Sequence, residues 1–203
     1  NSAGFRVGVY KPAASGCRCE GDRLFAEDAE RLWQAAGRPG DFAAVCPQYF
    51  RAPLAPHLAA CAEQKRIDPE RLRSGVDYWR NRSDVVLVEG AGGLMSPLSE
   101  QLYNADLVAD LGYPLVVVAP NVLGTINATL QTLITARTYR KRIDVAGIVL
   151  NDVCPSDQDA SAESNRLELV RRCAVPVLTT VSWGADHFGE PVDWFRLAEG
   201  VRG

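Results

Sequence analysis

The sequence predicts an α/β protein built on a mostly parallel sheet, three layers deep with helices on both faces. Three observations carry that prediction. Short apolar runs rich in β-formers alternate with longer helical patterns along the chain. Three of the runs, at 85–88, 115–118 and 148–150, are continuously apolar, as parallel strands covered on both faces must be. No long linker, repeat or low-complexity stretch interrupts the alternation. The 203 residues are therefore expected to form a single domain, 1–203, which at that size buries roughly 70% of its unfolded surface.

Taken in order, strands are expected at 5–10, 85–88, 115–119, 145–150 and 177–181, where apolar residues crowd into short segments bounded by turn formers. Phe25, Ala29, Leu32, Trp33 and Ala36 repeat at helical spacing and are followed by Gly37, the usual helix terminator. Residues 68–82 read as a second helix, opened by Asp68-Pro69, a capping residue followed by proline at the first helical position. A third helix is expected over 126–142, with Ile126, Leu130, Leu133, Ile134 and Arg137 along one side. A fourth spans 158–173, and a weaker one follows Pro191. Crossovers between the parallel strands are expected to be right-handed.

Composition narrows the function. Twenty-two lysines and arginines stand against 25 aspartates and glutamates, a net charge of -3, which argues against a dedicated nucleic-acid binder. Arg137, Arg140, Lys141 and Arg142 read instead as a solvated helix end favoured by the helix dipole. No run approaches the roughly 18 to 20 apolar residues of a membrane helix, and the first five residues lack the pattern of a secretory signal. A soluble, cytoplasmic protein with no membrane partner is expected. The six cysteines at 17, 19, 46, 61, 154 and 173 read as reduced thiols. The Cys17-Arg18-Cys19 pair, one residue apart and without a second ligand pair, is a poor zinc site. His57 and His187 suggest no catalytic role, and Trp33, Trp79, Trp183 and Trp194 suggest packing.

In an open parallel sheet, ligands bind beyond the carboxyl ends of the strands. Those ends carry Lys11-Pro12-Ala13-Ala14-Ser15-Gly16, Glu89-Gly90-Ala91-Gly92-Gly93, Pro120-Asn121-Val122-Leu123-Gly124-Thr125 and Asn151-Asp152-Val153. Only three of the basic residues are lysines. One of them, Lys11, leaves a buried strand into a turn, placed to meet an anion, with the Ser15 hydroxyl close behind. The other reading of Lys11 is a side chain snorkelling at a sheet edge. Glu89, fixed at a strand end, suits a hard cation such as magnesium, and the glycines after it let backbone N–H groups approach a ligand. Asp28 on the first helix is a weak signal by itself, since exposed helical aspartates are common, but a second carboxylate pointing to the same strand ends would complete that site.

These segments resemble the dethiobiotin synthetases. Lys11-Pro12-Ala13-Ala14-Ser15-Gly16 is similar to their Lys-Pro-x-x-Ser-Gly motif, and Val88-Glu89-Gly90-Ala91-Gly92-Gly93 to their Val-Glu-Gly-Ala-Gly-Gly segment. Asp28-Ala29, the Phe-x-x-Pro-x-x-Pro-His stretch from Phe50 to His57, Pro97-Leu98-Ser99 with Ala105-Asp106, Leu123-Gly124-x-Ile-Asn127 and Asn151-Asp152-Val153 follow in matching order, so the resemblance covers roughly 5–183. It implies a sheet of P-loop NTPase type. It also implies a Mg2+- and ATP-dependent ligase of biotin synthesis that closes 7,8-diaminononanoate and CO2 to dethiobiotin, through a carbamate and a carbamic–phosphoric anhydride. By this resemblance Lys11 bridges carbamate and γ-phosphate, Ser15 positions that end of the substrate, and Asp28 and Glu89 hold magnesium beside the nucleotide. Gly92 and Gly93 contact the diamine, Asn151 meets the adenine, and Asp152 binds the nucleotide. Leu123, Gly124 and Asn127 receive the substrate carboxylate, in a site completed across a homodimer.

One expected part is missing. The family carries a Gly-x-x-x-x-Gly-Lys-Ser/Thr phosphate loop, whereas here Lys11 follows Tyr10, Lys65 follows Gln64 and Lys141 follows Arg140. The chain thus reads as a domain lacking its N-terminal strand, loop and first helix, about 35 residues by the size of a βα unit. Three expectations remain open: an enzyme whose loop is encoded upstream, a degenerate homologue serving as a ligand-binding or dimerisation module, and a related ligase with another substrate.

Overall fold

A computed structural model describes residues 4–21, 23–155 and 158–199. They fall into two compact units, Asn1–Leu111 and Gly112–Gly203.

In the first unit, strand β1 (Val7–Tyr10) pairs in parallel with β4 (Val85–Val88), in a register that runs from Val7 opposite Val85 to Tyr10 opposite Val88. Between them lie an antiparallel hairpin, β2 (Arg18–Glu20) with β3 (Arg23–Phe25), and helices α1 (Glu27–Ala35), α2 (Phe42–Val45), α3 (Pro56–Ala62), α4 (Pro69–Ser74) and α5 (Asp77–Arg80). Helix α6 (Asn104–Leu111) closes the unit. Its core gathers Ala13, Leu72, Leu98, Leu102 and Leu107, with Phe50, Ala59 and Ala60 in a neighbouring cluster.

The second unit is a parallel three-stranded sheet, β5 (Leu115–Pro120), β6 (Val145–Asn151) and β7 (Val177–Val181), in that spatial order. Helices α7 (Thr125–Thr138) and α8 (Ala162–Arg172) connect the strands, and α9 (Trp194–Ala198) follows. Ala119, Ile148, Leu150 and Leu169 form its core, with Val117, Leu133 and Val177 against them. Among the described residues no helix is long and apolar enough to cross a membrane.

The five expected strands are present, and the sheets are open and mostly parallel. Helix α4 opens as its sequence demands: the Asp68 carboxylate accepts from the amides of Glu70 at 3.0 Å and Arg71 at 3.1 Å, and Pro69 occupies the first turn. Helix α1 carries Glu27, Asp28 and Glu30 in its first turn, where the dipole favours carboxylates, and Gly37 follows at φ 84°.

Elsewhere the structure departs from expectation. The strand expected from residue 5 begins at Val7, and Phe25 lies in β3 rather than in the first helix. The single helix expected over 68–82 is two helices: the Gly75 amide still donates to the Arg71 carbonyl at 3.1 Å and closes the first, while the buried Tyr10 hydroxyl, 2.9 Å from that carbonyl, reaches the Leu72 carbonyl at 3.1 Å, where the break falls. Helix α7 ends at Thr138, since Tyr139 is extended and Arg140 is left-handed at φ 40°; of the basic cluster only Arg137 is helical. Helix α8 begins at Ala162 rather than 158. Two strand residues expected to be covered, Leu87 and Val118, are 48% and 64% exposed, in strands paired on one edge only among the described residues. His57 lies in α3, and Trp183, expected to pack, is exposed.

Candidate functional site

The register of the first unit builds its half of the predicted chemistry. Because Tyr10 stands opposite Val88, the next residues, Lys11 and Glu89, leave the sheet side by side, and the Glu89 amide donates to the Tyr10 carbonyl at 2.9 Å. The Lys11 Nζ lies 2.6 Å from Glu89 Oε1 and 3.4 Å from Asp28 Oδ2, and it donates to the Gly90 carbonyl at 3.4 Å. The ammonium is almost fully buried, while the carboxylates facing it are 44% and 68% exposed, so the cation is held from inside and its partners open outward. A snorkelling lysine would show the reverse.

Residues 11–17 are held rigidly by backbone bonds to 45–52. The amides of Lys11, Ala14, Gly16 and Cys17 donate to the carbonyls of Val45, Gln48, Ala52 and Phe50, and the Phe50 amide returns a bond to Ala14. Ser15 sits half-buried in this strip.

Asp28 and Glu89 converge on a single point that a cation already fills. Two carboxylates are hard oxygen donors of the kind that could hold a divalent cation such as Mg2+. Among the described residues no cluster of three or more ligating side chains occurs.

The glycine-rich turn after β4 owes its shape to a residue that the sequence reading passed over. Asn104, 4% exposed at the start of α6, donates through Nδ2 to the carbonyls of Ala91 at 2.8 Å and Gly93 at 2.9 Å, and its Oδ1 accepts from the Ala91 amide at 3.4 Å. The Ser96 amide closes back on the Gly93 carbonyl at 2.9 Å. Gly92 is left-handed at φ 79°, and a Cβ there would fall 2.6 Å from the Ser96 hydroxyl, so the position requires glycine.

In the second unit Pro120 stands opposite Asn151, and Asn151 opposite Val181, which brings Asn121 beside Asp152. The turn 121–124 leads through Gly124, at φ 96°, into α7. Leu123 is 83% exposed, and Gly124 and Asn127 are exposed beside it. Three of the amides in this turn are taken: Asn121 N donates to the Asn151 carbonyl at 2.8 Å, Val122 N to the Pro120 carbonyl at 3.0 Å and Leu123 N to Asp159 Oδ2 at 3.0 Å. The Ser161 hydroxyl, followed by the amides of Ser161 and Leu123, holds the Asp159 carboxyl below its ordinary range. Thr125 and Thr129 each bury a hydroxyl oxygen that has no partner among the described residues.

The cysteines are free thiols, as expected. Burial pushes the Cys46 thiol up to about 12, far from any reactive range.

A family model described as an AAA domain matches residues 1–187. The chain is 40% identical to the ATP-dependent dethiobiotin synthetase of Rhodopirellula baltica, over 88% of this chain and 73% of that one. It is also 40% identical to the protein of that name from Anaeromyxobacter dehalogenans strain 2CP-C, over 91% of this chain and 80% of the relative. Identity to ATP-dependent dethiobiotin synthetase BioD 1 of Escherichia coli O157:H7 is 33%, over 92% and 81%. With its open, mostly parallel sheets of P-loop NTPase type, the chain belongs to the dethiobiotin synthetase family.

Proposed function

We propose that residues 1–203 act as one dethiobiotin synthetase-like domain in an ATP- and Mg2+-dependent ring closure, joining 7,8-diaminononanoate and CO2 to dethiobiotin in biotin synthesis. One amine of the substrate takes up CO2 as a carbamate. A carbamate oxygen attacks the γ-phosphorus of ATP and ADP leaves; the second amine then attacks the carbamoyl carbon, and phosphate leaves as the cyclic urea closes. The observation that carries this reading is the buried Lys11 ammonium, 2.6 Å from Glu89 and 3.4 Å from Asp28. Carbamate and triphosphate are both anionic, and a fixed cation offsets their repulsion where charge passes between them.

In this reading Lys11 bridges the carbamate and the γ-phosphate, and Ser15 donates to the same end of the substrate. Asp28 and Glu89 would hold Mg2+, which when bound screens the phosphate charge. Gly92 and Gly93 present backbone near the diamine, on a turn held by Asn104. Asn151 meets the adenine, and Asp152 binds the nucleotide. Leu123, Gly124 and Asn127 receive the substrate carboxylate at the start of α7, where helix N–H groups favour an anion. A cytoplasmic homodimer is part of the proposal.

The reaction needs a triphosphate loop, and none of the three lysines stands in a Gly-Lys-Ser/Thr sequence. The assay therefore uses the product of the complete reading frame, with diaminononanoate, bicarbonate and Mg-ATP, and detects dethiobiotin by mass spectrometry. Formation of the ring product is expected; its absence overturns the proposal. A complete product without a phosphate loop favours the second reading, a ligand-binding or dimerisation module that does not hydrolyse ATP. Lys11→Ala is expected to lower kcat by about 100- to 1,000-fold, the scale of losing one charge-stabilising donor. Its melting temperature should change little, because the two carboxylates left behind are solvated.

A further inference from the structure

Two buried asparagines in the second unit have no part in the chemistry above, and their orientation is dictated by their neighbours. Asn121, 6% exposed at the end of β5, donates from Nδ2 to Asp152 Oδ1 at 2.7 Å and approaches the Ala162 carbonyl at 3.4 Å. Both are acceptors only, so the Nδ2 must face them and the Oδ1 must face away. That oxygen accepts from the Nδ2 of Asn165, 2% exposed on α8, at 3.0 Å. The Asn165 Nδ2 also reaches the Val122 carbonyl at 3.2 Å and the Ser161 hydroxyl at 3.3 Å, which fixes its own orientation in turn. The result is a one-way chain of donors from α8 through the end of β5 to the carboxylate at the end of β6.

We infer that Asn165 and Asn121 are positioning residues that relay from α8 to Asp152 and set the direction its carboxylate presents to the nucleotide; this rests on the reading that Asn151 and Asp152 bind the nucleotide. The chain stands on two buried amides linked to each other and to a carboxylate, a carbonyl and a hydroxyl, the kind of polar network that specifies a single arrangement. A carboxylate gripped at one oxygen by a buried amide loses rotational freedom before the ligand arrives. Binding then does not have to supply that ordering.

The test reverses the relay. Asn165→Asp replaces a donor by an acceptor, so Asn121 must turn its Nδ2 toward residue 165 and its Oδ1 toward Asp152. Two acceptors then face each other, and the carboxylate is pushed out of place. The KM for ATP is expected to rise about tenfold, the scale of a misaligned hydrogen bond to a charged group, while kcat at saturating ATP stays within about twofold. Asp152→Asn alone should leave the melting temperature nearly unchanged, because its Oδ1 still accepts from Asn121. In the Asn165→Asp background it should recover part of the lost stability, since the amide at 152 donates to the reversed Asn121 oxygen.

Additive melting temperatures in this cycle overturn the relay whether or not the protein is an enzyme. A non-additive cycle with an unchanged KM for ATP shows the relay to be structural and overturns the positioning role. Failure of the wild-type product of the complete reading frame to bind Mg-ATP in a calorimetric titration sinks the reading of Asn151 and Asp152 itself, and leaves the melting cycle as the separate measure of the relay.

Discussion

Asn104 fixes the turn 90–93 with one amide: its Nδ2 satisfies two carbonyls of that turn, and its Oδ1 meets a third backbone group. Asn104→Ala takes the side-chain donor from the half-buried Ala91 carbonyl and one of two donors from the Gly93 carbonyl, which keeps the Ser96 amide, at a cost of about 1 kcal/mol by urea titration. In the proposed reaction, the same change raises the KM of the diamine more than that of ATP, because Gly92 and Gly93 face the diamine. Equal changes in both constants would argue for a general loosening of the unit. Lys11 and Glu89 were legible in the sequence because strand ends concentrate chemistry and the register needs only two paired strands, whereas Asp28, on helix α1, was a weak signal by itself. Asn104 was not, because an asparagine opening an apolar helix looks like an ordinary cap, and its partners lie 11 and 13 residues away. Asn121 and Asn165 are 44 residues apart and became readable only once β5 and α8 were packed.

At the scale of elements, the parallel strands could be read from composition alone, since a strand that pairs in parallel is apolar along its length. The helix over 68–82 could not be placed correctly because the group that meets its break comes from outside it: Tyr10 reaches across from β1 to two of its carbonyls. Gly75 makes room for that ring, as a Cβ there would stand 2.3 Å from the Tyr10 oxygen. Tyr10 is fully buried and cannot move aside, so Gly75→Ala is expected to lose about 1–3 kcal/mol by overpacking. A chemical-denaturation midpoint within error of wild type would show that the ring has somewhere to go. The hairpin β2–β3 escaped notice because it is short, polar and mostly exposed, with no apolar alternation to betray it. Helix α3 was masked by the prolines before it, although Pro56 at its first position is a start signal. In α7 the buried, unpartnered Thr129 hydroxyl marks a gain still available: Thr129→Val keeps the shape, removes the orphaned oxygen and should raise stability by roughly 1 kcal/mol, unless water occupies the site.

For the whole molecule, the titrating groups predict a stability profile with unequal limbs. Burial pushes the Cys46 thiol up to about 12 and the Tyr10 phenol far above its ordinary range, and it raises Cys17 and Cys173 as well. These acids are neutral in the folded protein and ionise more readily once unfolded. The stability they confer is complete below the unfolded thiol value near 9 and is lost as pH climbs toward the folded values. On the acid side the shifted carboxyls lie at the surface. Hydrogen bonds from Arg6, the Ser161 hydroxyl and the Thr179 hydroxyl lower Asp84, Asp159 and Glu190, so their contribution is present above the ordinary carboxylate range and fades as pH falls through the lowered values. Solvent and salt screen such groups, and the acid limb should be shallow and flatten further at high ionic strength. The alkaline limb should be steep and nearly insensitive to salt, since its groups are buried. Urea titrations in reductant from pH 5 to 11 test this directly. Cys46→Ala will be less stable than wild type at pH 7, from lost packing, yet above pH 9 its stability should fall more gently by about 1.4 kcal/mol per pH unit, the contribution of one proton released only on unfolding. Parallel alkaline limbs for the two proteins would show that the Cys46 thiol reaches solvent as easily folded as unfolded, and would remove the buried acids as the cause of the asymmetry.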